Sequence, residues 1–516
     1  MSLDTQYEDL EDSYASLSDQ IESFQEELEQ KLSQLQEEKS AVESKLRKVS
    51  GDIDDDALQQ FVDKPYTIVP KSNDEVLVIV PRFIPFTLGW LERQDESYNH
   101  FLVNKYVNWI EEIPADIQDK VGISQEYSDV EVDGKQLSFS SEAERDKAWS
   151  DLGGRGGGLH KRDGDTDIQI QSGSEFDVIA NIIEGGNLPF KPHPVEEPDL
   201  RSEEPTNLSL REYQEDAWTN FCEKGHVGVF WPPGAGKTYL SLYAGERIRG
   251  KKLVIVPQST LEEQWESKIE EVCTHPEEWD VRTYQYLTYG DNLEQYPTDD
   301  LTLTIMDEVH HIPSTTYSKL ALIDTKYRLG LSATPYREED GTTKYIFALT
   351  GYPIGLDWET LSELGVTKYP DVQVHLFTTT RKKRSKLTDL VHSETGKLVV
   401  FCDSIETGKK LSRELDVPFI HGETSNRLDI FESNRVVISS RVGDEGLSIE
   451  NIDTVIEYDF HGSSRRQELQ RAGRVMHNSS STGKHHLLMT DDEYQKSSDR
   501  LLSLEQRGFD VSITRQ

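Results

Sequence analysis

The sequence has little sulfur, no long apolar run and too few basic residues, and each shortage narrows what the chain can be. Its three cysteines, Cys222, Cys273 and Cys402, lie far apart. They form neither a zinc-ligand spacing nor a disulfide framework, which predicts a reducing, cytoplasmic setting. No apolar stretch reaches the roughly 18 residues needed to cross a bilayer. The opening Met1-Ser-Leu-Asp-Thr5 lacks the basic segment of a secretory leader. The expectation is a soluble intracellular chain with no membrane association.

Positive charge is scarce: 55 Lys and Arg stand against 95 Asp and Glu, a formal net charge of −40. Such a balance repels polyanions. Alternating apolar runs argue against an acidic disordered chain. The composition fits a halophilic proteome, in which acidic surfaces stay soluble and molar salt shortens the Debye length to about 3 Å. The predicted source is a salt-loving archaeon or one of its viruses. A length of 516 residues predicts three or four domains.

What is present starts with Trp231-Pro-Pro-Gly-Ala-Gly-Lys-Thr238. It follows the apolar Val227-Gly-Val-Phe230 and precedes the helix-like Tyr239–Ile248. Strand, glycine-bearing turn, Lys-Thr and helix are the context of a phosphate loop, whose backbone N–H groups face phosphates. Gly234, Ala235 and Gly236 shape the turn, Lys237 reaches the β- and γ-phosphates, and Thr238 offers its hydroxyl to Mg²⁺. Trp231 stands where the general pattern has its first glycine. Asp307-Glu-Val-His310 closes another apolar run, Leu301–Met306. Asp307 there can hold Mg²⁺ and Glu308 can orient the attacking water. Ser332-Ala-Thr334 ends a further run, and Leu210-Arg-Glu-Tyr-Gln214 lies upstream, so four motifs stand in fixed order.

These motifs resemble superfamily 2 helicases, and more narrowly the XPB-type DNA helicases. Leu210–Gln214 is similar to that family's Q motif, Asp307-Glu-Val-His-His-Ile-Pro313 to motif II, and Gly330–Thr334 to motif III. Arg337, Glu338 and Asp340 resemble an Arg-Glu-Asp element, with one extra glutamate. In the second half, Lys397–Cys402, Ser440–Ile449 and Gly462–Arg474 are similar to motifs IV, V and VI. The resemblance covers roughly residues 205–515.

The resemblance implies two tandem RecA-like α/β domains with parallel sheets, residues 206–372 (ATP-binding) and 373–516 (C-terminal). It implies ATP and Mg²⁺ as cofactors, DNA as partner, and 3′-to-5′ unwinding. Gln214 is expected to contact adenine, Gly446 and Ser448 the sugar, and Gln470 and Arg471 the nucleotide, with Arg474 as arginine finger. His477 stands where the family has a second arginine.

Ahead of the motor, Tyr7, Tyr14, Ile21, Leu28, Leu35, Val42 and Val49 recur seven apart, with Leu3, Leu10, Leu17 and Phe24 in a companion seam. This predicts a coiled coil over residues 1–50 and self-association or a protein partner there, although Lys31, Glu38 and Lys45 break the second seam. A single amphipathic helix folded onto the body is the alternative. Residues 60–191 read as a small α+β or β accessory module, either touching DNA or merely packing on the motor. Strands are expected at 66–70, 75–80 and 167–171, a helix over Asn99–Ile110 and a flexible loop at Gly153–Gly158. The acidic, proline-bearing Pro192–Pro205 reads as a linker. Three functions compete: a DNA helicase, a double-stranded DNA translocase serving a nuclease or defence system, and a coiled-coil scaffold whose motor has lost hydrolysis.

Overall fold

The computed structural model describes residues 64–516 except 73–74, 83, 85–87, 95–96, 111–112, 122–129, 186–187, 206, 299, 314–316, 334–341, 357, 441–451, 461–470, 477–481, 498–500, 502–503 and 505–508. The heptad segment at 1–50 and the residues Thr334, Arg337, Glu338, Asp340, Gly446, Ser448, Gln470 and His477 lie outside the described set. The chain divides into two compact units, residues 1–68 with 78–85, and residues 69–77 with 86–516. Strand β1 is Thr67–Pro70 and β2 is Glu75–Pro81. In the first unit the end of β2 buries Val78 and Val80, the alternate residues of a period-two strand.

The second unit continues after residue 86 with an antiparallel pair, β3 (Trp90–Gln94) and β4 (Tyr98–Asn104). The helix expected over Asn99–Ile110 is therefore shorter. Its first half is strand because Phe101 and Val103 alternate into the core. Helix α1 (Lys105–Ile110) begins where the Asn104 side chain accepts the Tyr106 and Val107 N–H groups at 3.1 and 3.3 Å.

Strands β5 (Val130–Asp133), β6 (Gln136–Phe139), β7 (Leu159–Asp163) and β8 (Asp167–Ile170) form an antiparallel sheet in the order β5-β6-β8-β7. Helix α2 (Glu142–Asp151) and helix α3 (Glu175–Glu184) accompany it. Gly154–Gly157, expected as flexible loop, is a 3₁₀ turn flanked by Gly153 at φ +78° and Gly158 at φ +91°.

This module shares a continuous core with the motor through helix α7 (Thr343–Thr350). Phe347 stacks on Tyr106 at 5.4 Å and meets Trp109 edge-on at 5.2 Å, while Tyr345 lies 5.0 Å from Phe176 of α3. The stretch 192–205 is strapped to the motor: His193 and Val195 donate to Lys224 and Cys222 carbonyls, and Arg201 to that of Arg247. Asp199 accepts the Tyr327 hydroxyl at 2.7 Å. An open polar linker would leave those groups to water.

Six parallel strands follow: β9 (His226–Phe230), β10 (Lys251–Val256), β11 (Trp279–Thr283), β12 (Leu301–Met306), β13 (Tyr327–Ser332) and β14 (Tyr352–Gly355). Their order is β11-β10-β12-β13-β9-β14. The nearly continuous burial of β10 and β12 belongs to strands covered on both faces. Helices α4 (Glu212–Lys224), α5 (Lys237–Arg247) and α6 (Ser259–Val272) supply part of that cover.

The second parallel sheet has seven strands: β15 (Asp371–Phe377), β16 (Leu398–Cys402), β17 (Phe419–Ile420), β18 (Val436–Ser439), β19 (Thr454–Asp459), β20 (Lys484–Thr490) and β21 (Val511–Arg515). They run in the order β17-β18-β16-β19-β20-β15-β21. Helices α8 (Thr380–Ser393), α9 (Ile405–Leu415) and α10 (Arg427–Ser433) connect them. Two parallel sheets, each with helical crossovers, make the fold a tandem α/β arrangement of RecA-like domains.

Candidate functional site

The site forms at the C-terminal edge of the first parallel sheet, where β9, β12 and β13 end. β9 runs into the turn at 231–236, and α5 starts at Lys237. Gly234 and Gly236 hold φ of +83° and +80°, which side chains with a Cβ rarely adopt. A Cβ at Gly236 would also stand 2.5 Å from Gln214 Nε2. The Trp231 departure has a packing cause: its ring is 1 % exposed and meets Tyr213 edge-on at 5.3 Å, so it joins the core under the turn.

Lys237 Nζ donates to the carbonyls of Trp231 at 2.8 Å and Pro232 at 3.3 Å. Its ammonium end is enclosed although the residue is half-buried. Burial pulls its pKa below the ordinary lysine value, and the nearby Glu308 and Asp307 oppose that shift. Thr238, the next residue, is exposed in the first turn of α5.

Gln214 lies behind the turn. Its Nε2 donates to the carbonyl of Gly236 at 3.2 Å and approaches that of Ala235 at 3.5 Å, and its Oε1 accepts the Arg211 N–H at 3.0 Å. The amide thus ties the loop to the start of α4. Tyr213 adds a hydroxyl bond to the Ala235 carbonyl at 2.7 Å. Arg211 and Tyr213, with Leu364 and Val366, line an adjoining cavity of about 540 Å³.

Asp307 leaves β12 buried, and its environment is built from distant segments. Trp265 Nε1 donates to Oδ2 at 2.9 Å, the Glu308 N–H to Oδ1 at 3.0 Å, and the Tyr284 hydroxyl to the Asp307 carbonyl. Burial raises the Asp307 pKa, against the Trp265 bond and the charge of Lys237. Glu308 sits at φ +49° and ψ +49°, a left-handed conformation that costs a non-glycine residue about 1–3 kcal/mol. Strain of that kind is retained where a side chain must be aimed. His310 Nδ1 stands 3.3 Å from Glu308 Oε2 and 2.8 Å from the Ser332 hydroxyl.

The structure brings Lys237, Asp307 and Glu308 together with the Gly234–Gly236 turn. It places Arg471 elsewhere. That guanidinium is fully buried in the second domain, paired with Glu457 and with Asp403 at 2.7 Å, over the Phe401 ring at 4.7 Å. His485 completes the cluster, 3.0 Å from Glu457. Arg474 follows one turn later, half-buried, its N–H on the Arg471 carbonyl at 3.1 Å. Sequence reading missed Trp265, Tyr284 and Tyr213. Only the last lies inside a motif, Leu210–Gln214.

Two family models match: "Type III restriction enzyme, res subunit" over residues 207–337 and "Helicase conserved C-terminal domain" over residues 382–479. The putative DNA 3′-5′ helicase Rad25 of Halobacterium salinarum is 34 % identical over 329 residues, 54 % of this chain and 54 % of that protein. Its counterpart in Haloarcula marismortui is 33 % identical over 314 residues, 52 % and 50 % respectively. The XPB subunit of general transcription and DNA repair factor IIH from Danio rerio is 24 % identical over 341 residues, 54 % and 44 %. The chain thus spans about half the length of the curated relatives it matches. A solved structure of a S. cerevisiae Dbp5 variant bound to RNA and ADP BeF3 superposes with TM-score 0.50 at 15 % identity, over 59 % of this chain and 89 % of that one. It shares the fold. Each half of the motor is thus matched by a family model, and the motor half is similar to the Rad25/XPB helicases.

Proposed function

We propose that the chain is an ATP-dependent DNA helicase that couples ATP hydrolysis to movement along duplex DNA and its separation with 3′-to-5′ polarity. The observation that supports this most is the gathering of Lys237, Asp307 and Glu308 beside a glycine turn at one sheet edge. Phosphate oxygens are stronger acceptors for the Lys237 ammonium than the two carbonyls it uses, so the turn suits a triphosphate. Carboxylate and hydroxyl oxygens of Asp307 and Thr238 are the donor set a hard cation takes. Bound Mg²⁺ supplies charge neutralisation on the phosphates.

Glu308 orients the attacking water, and the strained backbone fixes its aim. Gln214 holds the loop that carries the phosphates, and the base lies towards the Arg211–Tyr213 cavity. From the second domain, Gly446 and Ser448 approach the sugar, Gln470 the nucleotide, and Arg474 steadies charge developing on the transferred phosphoryl group. Arg471 holds the Arg474 segment in place through Glu457 and Asp403. DNA contacts fall on phosphates through backbone amides and hydroxyls, which suits an acidic protein. Residues 1–50 provide self-association or a partner contact, and the acidic composition suits a salt-rich cytoplasm. DNA-stimulated ATP hydrolysis that Lys237→Ala abolishes is the expected result. Hydrolysis indifferent to both would overturn the reading.

The match to the restriction-enzyme model favours one alternative, a double-stranded DNA translocase that serves a nuclease without separating strands. ATP hydrolysis on DNA without strand displacement would select it.

A further inference from the structure

We infer that Trp265 is a positioning residue for the carboxylate of Asp307, and that its helix links this carboxylate to the second domain. The inference rests on the reading of Asp307 as a metal-holding group. Trp265 lies in α6 and is 2 % exposed, with its ring in the core of the first RecA-like domain. Its indole N–H reaches Asp307 Oδ2 at 2.9 Å, while the Glu308 N–H takes Oδ1 at 3.0 Å. The Asp307 backbone is held as well, its N–H on the Ile255 carbonyl at 2.9 Å and its carbonyl under the Tyr284 hydroxyl.

One donor on each oxygen stops the carboxylate from turning about its terminal torsion. Each oxygen keeps a further lone pair for a cation. An indole N–H is a donor only, so it orients the carboxylate without competing for the metal. Partners of this kind, outside the ligands themselves, typically change metal affinity about 10- to 100-fold when removed.

Five residues before Trp265, Thr260 accepts the Arg427 guanidinium from the second domain at 3.3 Å. On one helix these positions stand about 7.5 Å apart along the axis. Arg427 is itself fixed by the carbonyls of Gly422 at 2.6 Å and Thr424 at 3.0 Å. The α6 helix therefore touches the second domain at its first turn and the Asp307 carboxylate one and a half turns later. Movement of the second domain pulls on the element that aims that carboxylate.

The test is binding of mant-ADP to the full chain, with Mg²⁺ titrated from excess EDTA. Trp265→Phe keeps an aromatic ring and removes the N–H. Its affinity without Mg²⁺ should stay within about twofold of wild type, while the Mg²⁺ concentration at half-effect rises about 10- to 100-fold. Arg427→Ala should move the same midpoint in the same direction by a smaller factor. A packing role alone would weaken binding equally with and without Mg²⁺. An unchanged midpoint in Trp265→Phe would overturn the positioning role, and one in Arg427→Ala the helix link. If Asp307→Asn keeps the wild-type midpoint, the metal-site reading fails instead. Should Trp265→Phe not fold, the ¹⁵N-indole signals of the eight tryptophans carry the comparison. The signal shifted by adding Mg²⁺ to the ADP complex must be one that Asp307→Asn also shifts. Two different signals would overturn the inference.

Discussion

His310 Nδ1 lies 2.8 Å from the hydroxyl of Ser332, so the acidic motif after β12 and the serine that ends β13 are joined by one buried hydrogen bond. The same nitrogen stands 3.3 Å from Glu308 Oε2. The side chain proposed to aim water and the strand leading to the 334–341 segment therefore share a partner. A shift of β13 reaches Glu308 through one imidazole.

Lys237→Ala and Glu308→Gln should separate binding from chemistry. The first removes the ammonium proposed to meet the phosphates, and both affinity and turnover should collapse. The second keeps size and polarity but loses the carboxylate proposed to orient water, so ATP should remain bound while hydrolysis falls about 10²-fold or more. Equilibrium nucleotide binding beside single-turnover hydrolysis checks this. Wild-type turnover in Glu308→Gln would remove Glu308 from the chemistry.

Arg471 and Arg474 should fail differently. Arg471→Ala leaves Glu457 and Asp403 buried without their cation, a loss of about 3–5 kcal/mol, and should lower the melting temperature of the second domain. Arg474→Ala should leave the melt unchanged and abolish hydrolysis. Differential scanning calorimetry with steady-state kinetics reads both. A stable, inactive Arg471→Ala would place that guanidinium at the nucleotide instead.

How much of this was legible follows from distance along the chain. The strand, turn, Lys-Thr and helix around Gly234–Thr238 are consecutive residues, so their pattern fixes their geometry. The partners of Asp307 are not: Trp265 is 42 residues away and Tyr284 is 23 away, and nothing in either segment announces a carboxylate. Gln214 lies beside the turn as expected, and its bond to the Gly236 carbonyl was not legible, because side-chain direction depends on where α4 docks. Asn99–Ile110 misled because half of its apolar residues suit a strand as well as a helix. Only pairing with β3 decides between them.

Acid should destabilise the second domain before most carboxylates titrate. His375 and His486 face each other on β15 and β20 at 3.2 Å, flanked by Lys386, Lys484, His485, Asp371 and Glu394. Burial pulls them to about 4 and about 3. The unfolded chain binds these protons near the ordinary histidine value of about 6.5, so their contribution is complete above that pH and falls as pH drops towards 4. Melting temperatures from pH 8 to 4 should fall less steeply in His375→Gln/His486→Gln. An equal slope would show that other groups carry the acid sensitivity.

The charge of −40 predicts dependence on salt. Raising KCl from roughly 0.1 to 3 M takes the Debye length from about 10 Å to below 3 Å, and self-repulsion falls accordingly. Circular dichroism and ATPase should both improve across that range. Greatest stability at the low-salt end would contradict the halophilic reading.

The central claim is tested most directly by strand displacement in molar KCl on two DNA duplexes, one with a 3′ single-stranded tail and one with a 5′ tail. ATP- and Mg²⁺-dependent release of the displaced strand from the 3′-tailed duplex alone, absent in Lys237→Ala, is the predicted result. DNA-stimulated ATP hydrolysis with no displacement from either duplex would contradict it.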